Sequence, residues 1–381
     1  MTRAVQATDT PAATFQPVSA AALAGWLRLE MTDGVGLGSA HRLLARFVTP
    51  EAIFGAGRAA LLDEVKPGQA DALLQAPPDR LAALVDATLA WQQQPGNRLL
   101  SYDHPDYPEA LRNIAAAPLL LYLKGRAELL GRPSLAVVGA RNASAQGMLN
   151  ADRMAQALSE AGLTIVSGLA LGIDAAAHAG GLNGPGSTIA VIGTGPDRIY
   201  PARNNALARR IAEEGCIVSE YALGTPPLRD NFPRRNRVIS GLARGVLVVE
   251  AAAKSGSLIT AKLAIDQGKE LYAIPGSIHA TLAKGCHALI RESGAKLVET
   301  AADILTDLKL LEPGAHGARP SLDDTFVDRV LEALGEHPAG ADLLALRLNQ
   351  SAADLQGQLL ALELAGLVER LPGGMFQRLR A

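Results

Sequence analysis

The 381-residue sequence predicts an α/β protein: a largely parallel sheet core with a smaller helical module on either side. Three observations carry that reading. From Arg98 to Leu311, short apolar runs alternate with windows of helical periodicity, the pattern of strands buried on both faces. Residues 18–96 read as helical throughout, and residues 323–381 read as three helices and a strand hairpin. Two or three domains are expected at this length. A hydrophobic content of 48% against 19% charged residues supplies material for several cores.

Taken in order, residues 1–17 are rich in Ala, Thr and Pro without periodicity, and a disordered tail is expected there. The first helical domain, 18–96, carries Leu23, Trp26, Leu27 and Leu29, then Leu43, Leu44 and Phe47. Between those runs, Asp33-Gly-Val-Gly-Leu-Gly-Ser-Ala40 is a glycine-broken turn that opens a helix. It resembles the hairpin of helix-hairpin-helix modules, whose backbone N–H groups approach DNA phosphates. Only Arg42 and Arg46 stand nearby, so a tight turn between packed helices is the favoured reading.

The central region, 97–311, holds the apolar runs Leu119–Leu123, Leu135–Val138, Leu163–Val166, Thr188–Ile192, Cys216–Val218, Val246–Val249, Glu270–Ile274 and Ala295–Val298. Ligands of such sheets bind at the carboxyl ends of the strands. The loops expected there are Gly139–Ser144, Ser167–Asp174, Gly193–Gly195 and Glu250–Ser257. None has the G-x-G-x-x-G or G-x-x-x-x-G-K-[ST] spacing, so neither a dinucleotide nor ATP hydrolysis is expected. Arg141 stands where a dinucleotide site would need glycine. Each loop alone could be a tight connection, but together with a nearby arginine cluster they argue for a site.

That cluster is Arg234, Arg235 and Arg237, with Arg229 just before and Lys254 after the next strand. Pro233 suits the first turn of a helix. With no acid between Asp230 and Glu250, the segment reads either as a solvated positive face or as a phosphate-directed surface. The net charge of -2 requires any anion-binding surface to be local. Asp174 and His178 share one helical face. They read as an acid/base or metal pair or, the favoured alternative without a third ligand nearby, as a cap and a buried hydrogen bond. Cys216 and Cys286 lack metal spacing and fit buried thiols in a reducing compartment. Without a leader pattern or a membrane-length apolar run, a cytoplasmic location is expected.

A Pro/Gly-rich linker, 312–322, leads to the last domain, 323–381. Its three helices and the hairpin through Pro372-Gly-Gly374 look like a winged helix. The third helix, Ala353–Leu364, lies in a stretch from Ser351 to Ala365 that carries no Lys or Arg, so a partner-binding or packing role is expected rather than groove reading.

The central region resembles the DNA-processing protein A (DprA/Smf) family. The resemblance rests on Gly139-x-Arg141, Ser167-Gly-Leu-Ala-x-Gly-Ile-Asp-x-x-x-His178, Gly193-Thr-Gly-x-Asp-x-x-Tyr-Pro201 and Asn204. It continues through Asn231-Phe-Pro-x-Arg-Asn-Arg-x-Ile-Ser-Gly241, Val249-Glu-Ala251, Ser255-Gly-Ser-Leu-Ile-Thr260 and Ile274-Pro-Gly-Ser277. Leu171 departs from it, standing where a basic residue is expected.

The resemblance implies a Rossmann-like core, an N-terminal sterile-alpha-motif-like domain and a C-terminal winged helix. It implies a non-catalytic protein without cofactor or metal that binds and protects single-stranded DNA. RecA recombinase would be loaded onto that DNA during natural transformation, with single-strand-binding protein a further candidate partner. Carried over, the DNA-binding residues are Arg141, Gly168, Arg229, Phe232, Arg234, Arg235, Asn236, Arg237, Lys254, Ser255, Gly256 and Ser257. A homodimer is also implied, with Leu289 and Ile290 as candidate contacts; packing of that side on the sheet is the alternative. A different class remains: a related phosphoribohydrolase, with Arg141 and Lys254–Ser257 on a 5′-phosphate and Glu250 assisting the leaving base. Its Pro-Gly-Gly-x-Gly-Thr-x-x-Glu text is absent.

Overall fold

A computed structural model describes residues 18–310 and, further on, 325–335, 337–348, 350, 355, 359, 362, 367–371 and 374–379. The expected tail, 1–17, and linker, 312–322, lie outside the described residues. The chain forms two units, Met1–Leu305 and Thr306–Ala381.

Six helices come first: α1 (Ala20–Met31), α2 (Leu37–Phe47), α3 (Pro50–Phe54), α4 (Arg58–Leu62), α5 (Pro67–Leu73) and α6 (Arg80–Gln92). Ser19 caps α1 by accepting from the Ala22 amide, and Thr49 caps α3 through the Ala52 amide. The glycine turn before α2 is a packed one. Gln69 Nε2 donates to the Gly34 carbonyl at 2.6 Å, and Arg42 folds back onto the carbonyl of Gly38.

A nine-stranded sheet follows, in the order β1-β2-β6-β5-β4-β3-β7-β8-β9. Its strands are β1 (Asn97–Ser101), β2 (Leu120–Gly125), β3 (Ser134–Val138), β4 (Thr164–Ser167), β5 (Thr188–Val191), β6 (Cys216–Ser219), β7 (Gly245–Val248), β8 (Glu270–Ala273) and β9 (Lys296–Leu297). From β6 to β9 every neighbouring pair is parallel, whereas β1–β2 and β2–β6 are antiparallel. Each expected run became a strand. The additional strand β1 was not read from the sequence, because Asn97-Arg98-Leu-Leu-Ser offers only two apolar residues; pairing with β2 makes it a strand.

Side-chain alternation divides the core. Ile189, Val191, Cys216 and Val218 point into one cluster, and Ala190, Ile192 and Ile217 into another on the opposite face. The first face is covered by α7 (Glu109–Arg112), α11 (Asn231–Leu242), α12 (Ser257–Asp266) and α13 (Lys284–Glu292). On the second, α10 (Asn205–Glu214) packs beside α9 (Ile173–Leu182), which lies against α8 (Ala145–Glu160). At the β1–β2 end, Leu99, Leu120 and Tyr122 join Leu23, Trp26 and Leu43 in one cluster. The first helices are thereby fixed to the sheet by shared apolar burial.

Leu289, expected at a dimer contact, is 7% exposed and packs in the sheet cluster with Val248 and Leu271, so its side chain serves this chain's own core. Ile290 is partly buried against the same cluster. The first unit ends within α14 (Ala301–Asp307). In the second unit, α15 (Thr325–Leu334), β10 (Ala339–Gly340) and α16 (Ala341–Leu348) precede the hairpin β11 (Val368–Leu371) and β12 (Met375–Arg378). Leu355, Leu359 and Leu362 are buried at helical spacing in this unit's core.

The α8–α9 contact is set by Gly180: a Cβ there would lie 2.0 Å from the Asp152 carbonyl oxygen. Gly180→Ala must push the helices apart. The expected cost is about 1–3 kcal/mol, read as a lower thermal midpoint; an unchanged melt would refute this close approach.

Candidate nucleic-acid interface

The chain leaves β3 for β4 on one side and returns to β7 on the other, so the strand order reverses beside β3. Open parallel sheets bind ligands at such a switch point, outside the carboxyl ends of the strands. A cleft of about 780 Å³ lies there. The loop after β3 supplies Arg141, the loop after β7 supplies Ser255, Gly256 and Ser257, and α11 supplies Phe232 and Asn236.

Several local bonds fix the wall. Asn231 Nδ2 donates to the Gly193 carbonyl and Tyr221 donates to the Asn231 carbonyl, both at 3.1 Å, so the first turn of α11 is pinned to two other strand ends. The Phe232 ring then rests against Gly193, where a Cβ would approach it to 3.1 Å. Arg141 is exposed, with its guanidinium 5.9 Å from the centroid of that ring. Arg229, also exposed, lines the same cleft. Across from them, α12 begins with no acid in its first turn, presenting the positive end of its dipole. The Ser255 and Ser257 hydroxyls bond each other at 2.7 Å beside it.

Arg235 forms the floor and is only 5% exposed. Its Nη1 donates to the Gly168 and Val191 carbonyls, and its Nε donates to Asn236 Oδ1 at 3.2 Å. Burial lowers its pKa to about 10 against the pull of Asp174, so it stays charged at neutral pH. Gly168 is obligatory here, since a Cβ would sit 2.3 Å from the Arg235 guanidinium.

The loop after β4 is internally satisfied. Asp174 accepts from the Gly168 and Ala170 amides at 3.1 and 3.3 Å. His178 Nε2 accepts from the Leu169 amide at 3.2 Å, and Asn204 Nδ2 donates to the Leu169 and Ala170 carbonyls. Thr188 Oγ1 gives its proton to the Ile165 carbonyl, so it accepts from His178 Nδ1 at 2.7 Å. That assignment makes the ring neutral, and burial lowers its pKa to about 3. Burial pushes the Asp174 carboxyl upward, with Arg235 pulling it back. Both residues therefore hold the loop, as the favoured reading expected, although Asp174 serves the loop amides before α9.

Other sequence candidates fall outside the cleft lining. Arg237 pairs with Glu220, both side chains nearly buried; burial raises the Glu220 carboxyl while Arg237 opposes it. Arg234 and Lys254 are exposed but do not line the cleft, and Gly168 is buried with both backbone groups engaged. Glu250 is committed as well. Its carboxylate accepts from the Ser144 amide at 2.9 Å and the Ser144 hydroxyl at 2.6 Å, and Ser144 in turn caps α8 by accepting from the Gly147 amide.

The sequence profile described as DNA recombination-mediator protein A matches residues 98–309, more than half of the chain. The chain belongs to this family. A second profile, the DprA winged helix domain, matches residues 315–374. The Escherichia coli protein Smf is 39% identical over 309 residues, 78% of this chain and 82% of that protein. The Streptococcus pneumoniae DNA processing protein DprA is 50% identical over 203 residues, 53% of this chain and 71% of the relative. The X-ray structure of the pneumococcal DprA covers 77% of this chain and 99% of its own, with a TM-score of 0.65 at 37% identity. A Helicobacter pylori DNA processing protein A structure, described for its single-stranded DNA binding mode, covers 56% and 95% with a TM-score of 0.51 at 29% identity.

Sequence reasoning missed two residues in this region. Glu220 follows β6 with nothing nearby in sequence to mark it as the partner of Arg237. Tyr200 lines the cleft at 48% exposure, 5.5 Å between ring centroids from Phe232. The signal was the Tyr-Pro pair after β5, quoted in the resemblance without a contact.

Two outcomes follow from the floor. Arg235→Ala strips a buried carboxylate of its compensating charge and should destabilise by roughly 3–5 kcal/mol. Arg141→Ala should leave the melt within about 0.5 kcal/mol. Equal melts for the two variants would contradict this division. For His178 the folded pKa of about 3 lies below the unfolded 6.5. Its contribution is thus complete above pH 6.5 and is lost as the pH falls toward 3. Its ring resonances should stay constant from about pH 8 to 5; a midpoint inside that range would overturn the tautomer assignment.

Proposed function

We propose that this chain binds single-stranded DNA in the switch-point cleft and delivers the strand to RecA recombinase during uptake of foreign DNA, protecting it meanwhile. The observation that carries this is the convergence of exposed Arg141 and half-buried Phe232, 5.9 Å from guanidinium to ring centroid, on a cleft that also receives the start of α12. Cations and the positive end of a helix dipole suit phosphates, and an aromatic face suits an unpaired base. A duplex keeps its base faces stacked and offers no partner for Phe232. Family membership and the Helicobacter relative described as binding single strands support the same reading.

The reading is of a non-catalytic protein. Glu250, the candidate assistant in a phosphoribohydrolase, is held by Ser144 and fills the anion site at the start of α8. A cytoplasmic location and single-strand-binding protein as a further partner belong to this proposal. No helix among the described residues is long and apolar enough to cross a membrane. A homodimer belongs to it too. With Leu289 inside the core, Leu297, 51% exposed on the edge strand β9, is the better-placed contact.

Single strands should bind in preference to a blunt duplex, with affinity falling steeply as salt is added. Equal affinity for both would end the proposal. Arg141→Ala should weaken all sequences alike and reduce the salt slope by about one counterion. Phe232→Ala should cost roughly 1–3 kcal/mol with the slope nearly unchanged. Titrations at several salt concentrations separate the two effects. Leu297→Glu should sediment as a monomer that still binds a short strand; an unchanged dimer would move the interface elsewhere.

A further inference from the structure

We propose that Tyr200 is a second stacking platform, so that the cleft grips two successive bases splayed apart, one on Phe232 and one on Tyr200. This rests on the single-strand reading above and specifies how that site takes its ligand.

The geometry of the pair carries the inference. The two ring centroids are 5.5 Å apart and the planes meet at 45°. A base sandwiched between two rings needs roughly twice the 3.5 Å contact distance of stacked carbons. No base fits between them, so each ring can offer only its outer surface. Bases lying on those surfaces would be inclined to one another, whereas successive bases in a helix lie parallel. The pair therefore selects a strand whose step is already unstacked or easily opened.

Tyr200 is also built to be available. It is 48% exposed, and among the described residues its hydroxyl makes no hydrogen bond. Its loop, by contrast, is tied down. Thr194 Oγ1 donates to the Arg198 carbonyl at 2.6 Å, the Arg198 amide to the Gly195 carbonyl at 3.0 Å, and the Gly224 amide to Asp197 Oδ1 at 2.9 Å. The ring is thus presented to solvent on a fixed loop, which lowers the ordering cost of stacking a base on it. Arg141 stands near the Phe232 member of the pair, so phosphate holding and base opening occur side by side.

The test uses the full chain and an oligonucleotide with two adjacent 2-aminopurines flanked by abasic residues, so that only this pair can occupy the aromatic faces. Stacked 2-aminopurines give an exciton circular dichroism band, which should vanish on binding to the wild type. In the Tyr200→Leu complex the band should persist. Affinity should drop about 5- to 150-fold in Tyr200→Leu with the salt slope unchanged, and Tyr200→Phe should bind as wild type. If Tyr200→Leu binds normally while Arg141→Ala is weakened, the second platform is wrong and the strand site stands. If neither variant changes affinity, the strand site itself is wrong. Should Tyr200→Leu melt early, the wild-type complex decides alone: loss of the exciton band sustains the splayed step and its persistence overturns it.

Discussion

A guanidinium with almost no access to water underlies the cleft, and most of the surrounding geometry depends on it. Arg235 reaches from α11 to the carbonyls at the ends of β4 and β5, joining a helix on one face to two adjacent strands. A lone charge there would be prohibitive. It is tolerable because the carbonyls accept its protons and Asp174 lowers the cost of its charge. Gly168 admits it sterically. Together with the Asn231 and Tyr221 bonds, that anchor fixes the turn of α11 that carries Phe232 and Asn236.

The same economy bears on why the proposed ligand is a polymer rather than a nucleotide. In dinucleotide folds the first helix after the central strand receives the pyrophosphate. Here that helix, α8, already holds an anion of the chain's own, the Glu250 carboxylate. The amides after β4 are likewise taken by Asp174 and His178. With these internal claims settled, the open positions are the exposed side chains of Arg141 and Arg229, beside the positive end of α12, whose first amides are bonded to Ser255 and Gly256. They form an open strip along a cleft, a shape that suits a chain passing through.

Much of this was legible in the sequence, for identifiable reasons. Runs such as Thr188–Ile192 could be read as strands because burial on both faces demands unbroken apolar residues. β1 could not, since Asn97-Arg98 hides it and its partner strand begins only at Leu120, beyond α7. The arginine segment showed the opposite problem. Its composition marked a basic helix, but which arginine is free depends on α11 turning Arg237 toward Glu220 and Arg235 toward Gly168. Those partners come from other strand ends, so no local pattern reveals them. Tyr200 was hidden likewise, since only the fold brings the loop after β5 beside Phe232.

Internal neutralisation also bears on how a chain of net charge -2 would hold DNA in the proposed function. Arg237 is paired and Arg235 is compensated, so neither adds a fully free charge to the surface. The remaining cations at the cleft are few, and electrostatic attraction alone would favour a duplex, which carries more phosphate per unit length. Discrimination for a single strand must then come from what a duplex lacks, namely accessible base faces. Aromatic residues make up only 4% of the chain, yet two of them stand together at the cleft. In the proposed function, the fold would thus concentrate a scarce residue type where strandedness is sensed, leaving the cations to supply attraction without choice of sequence.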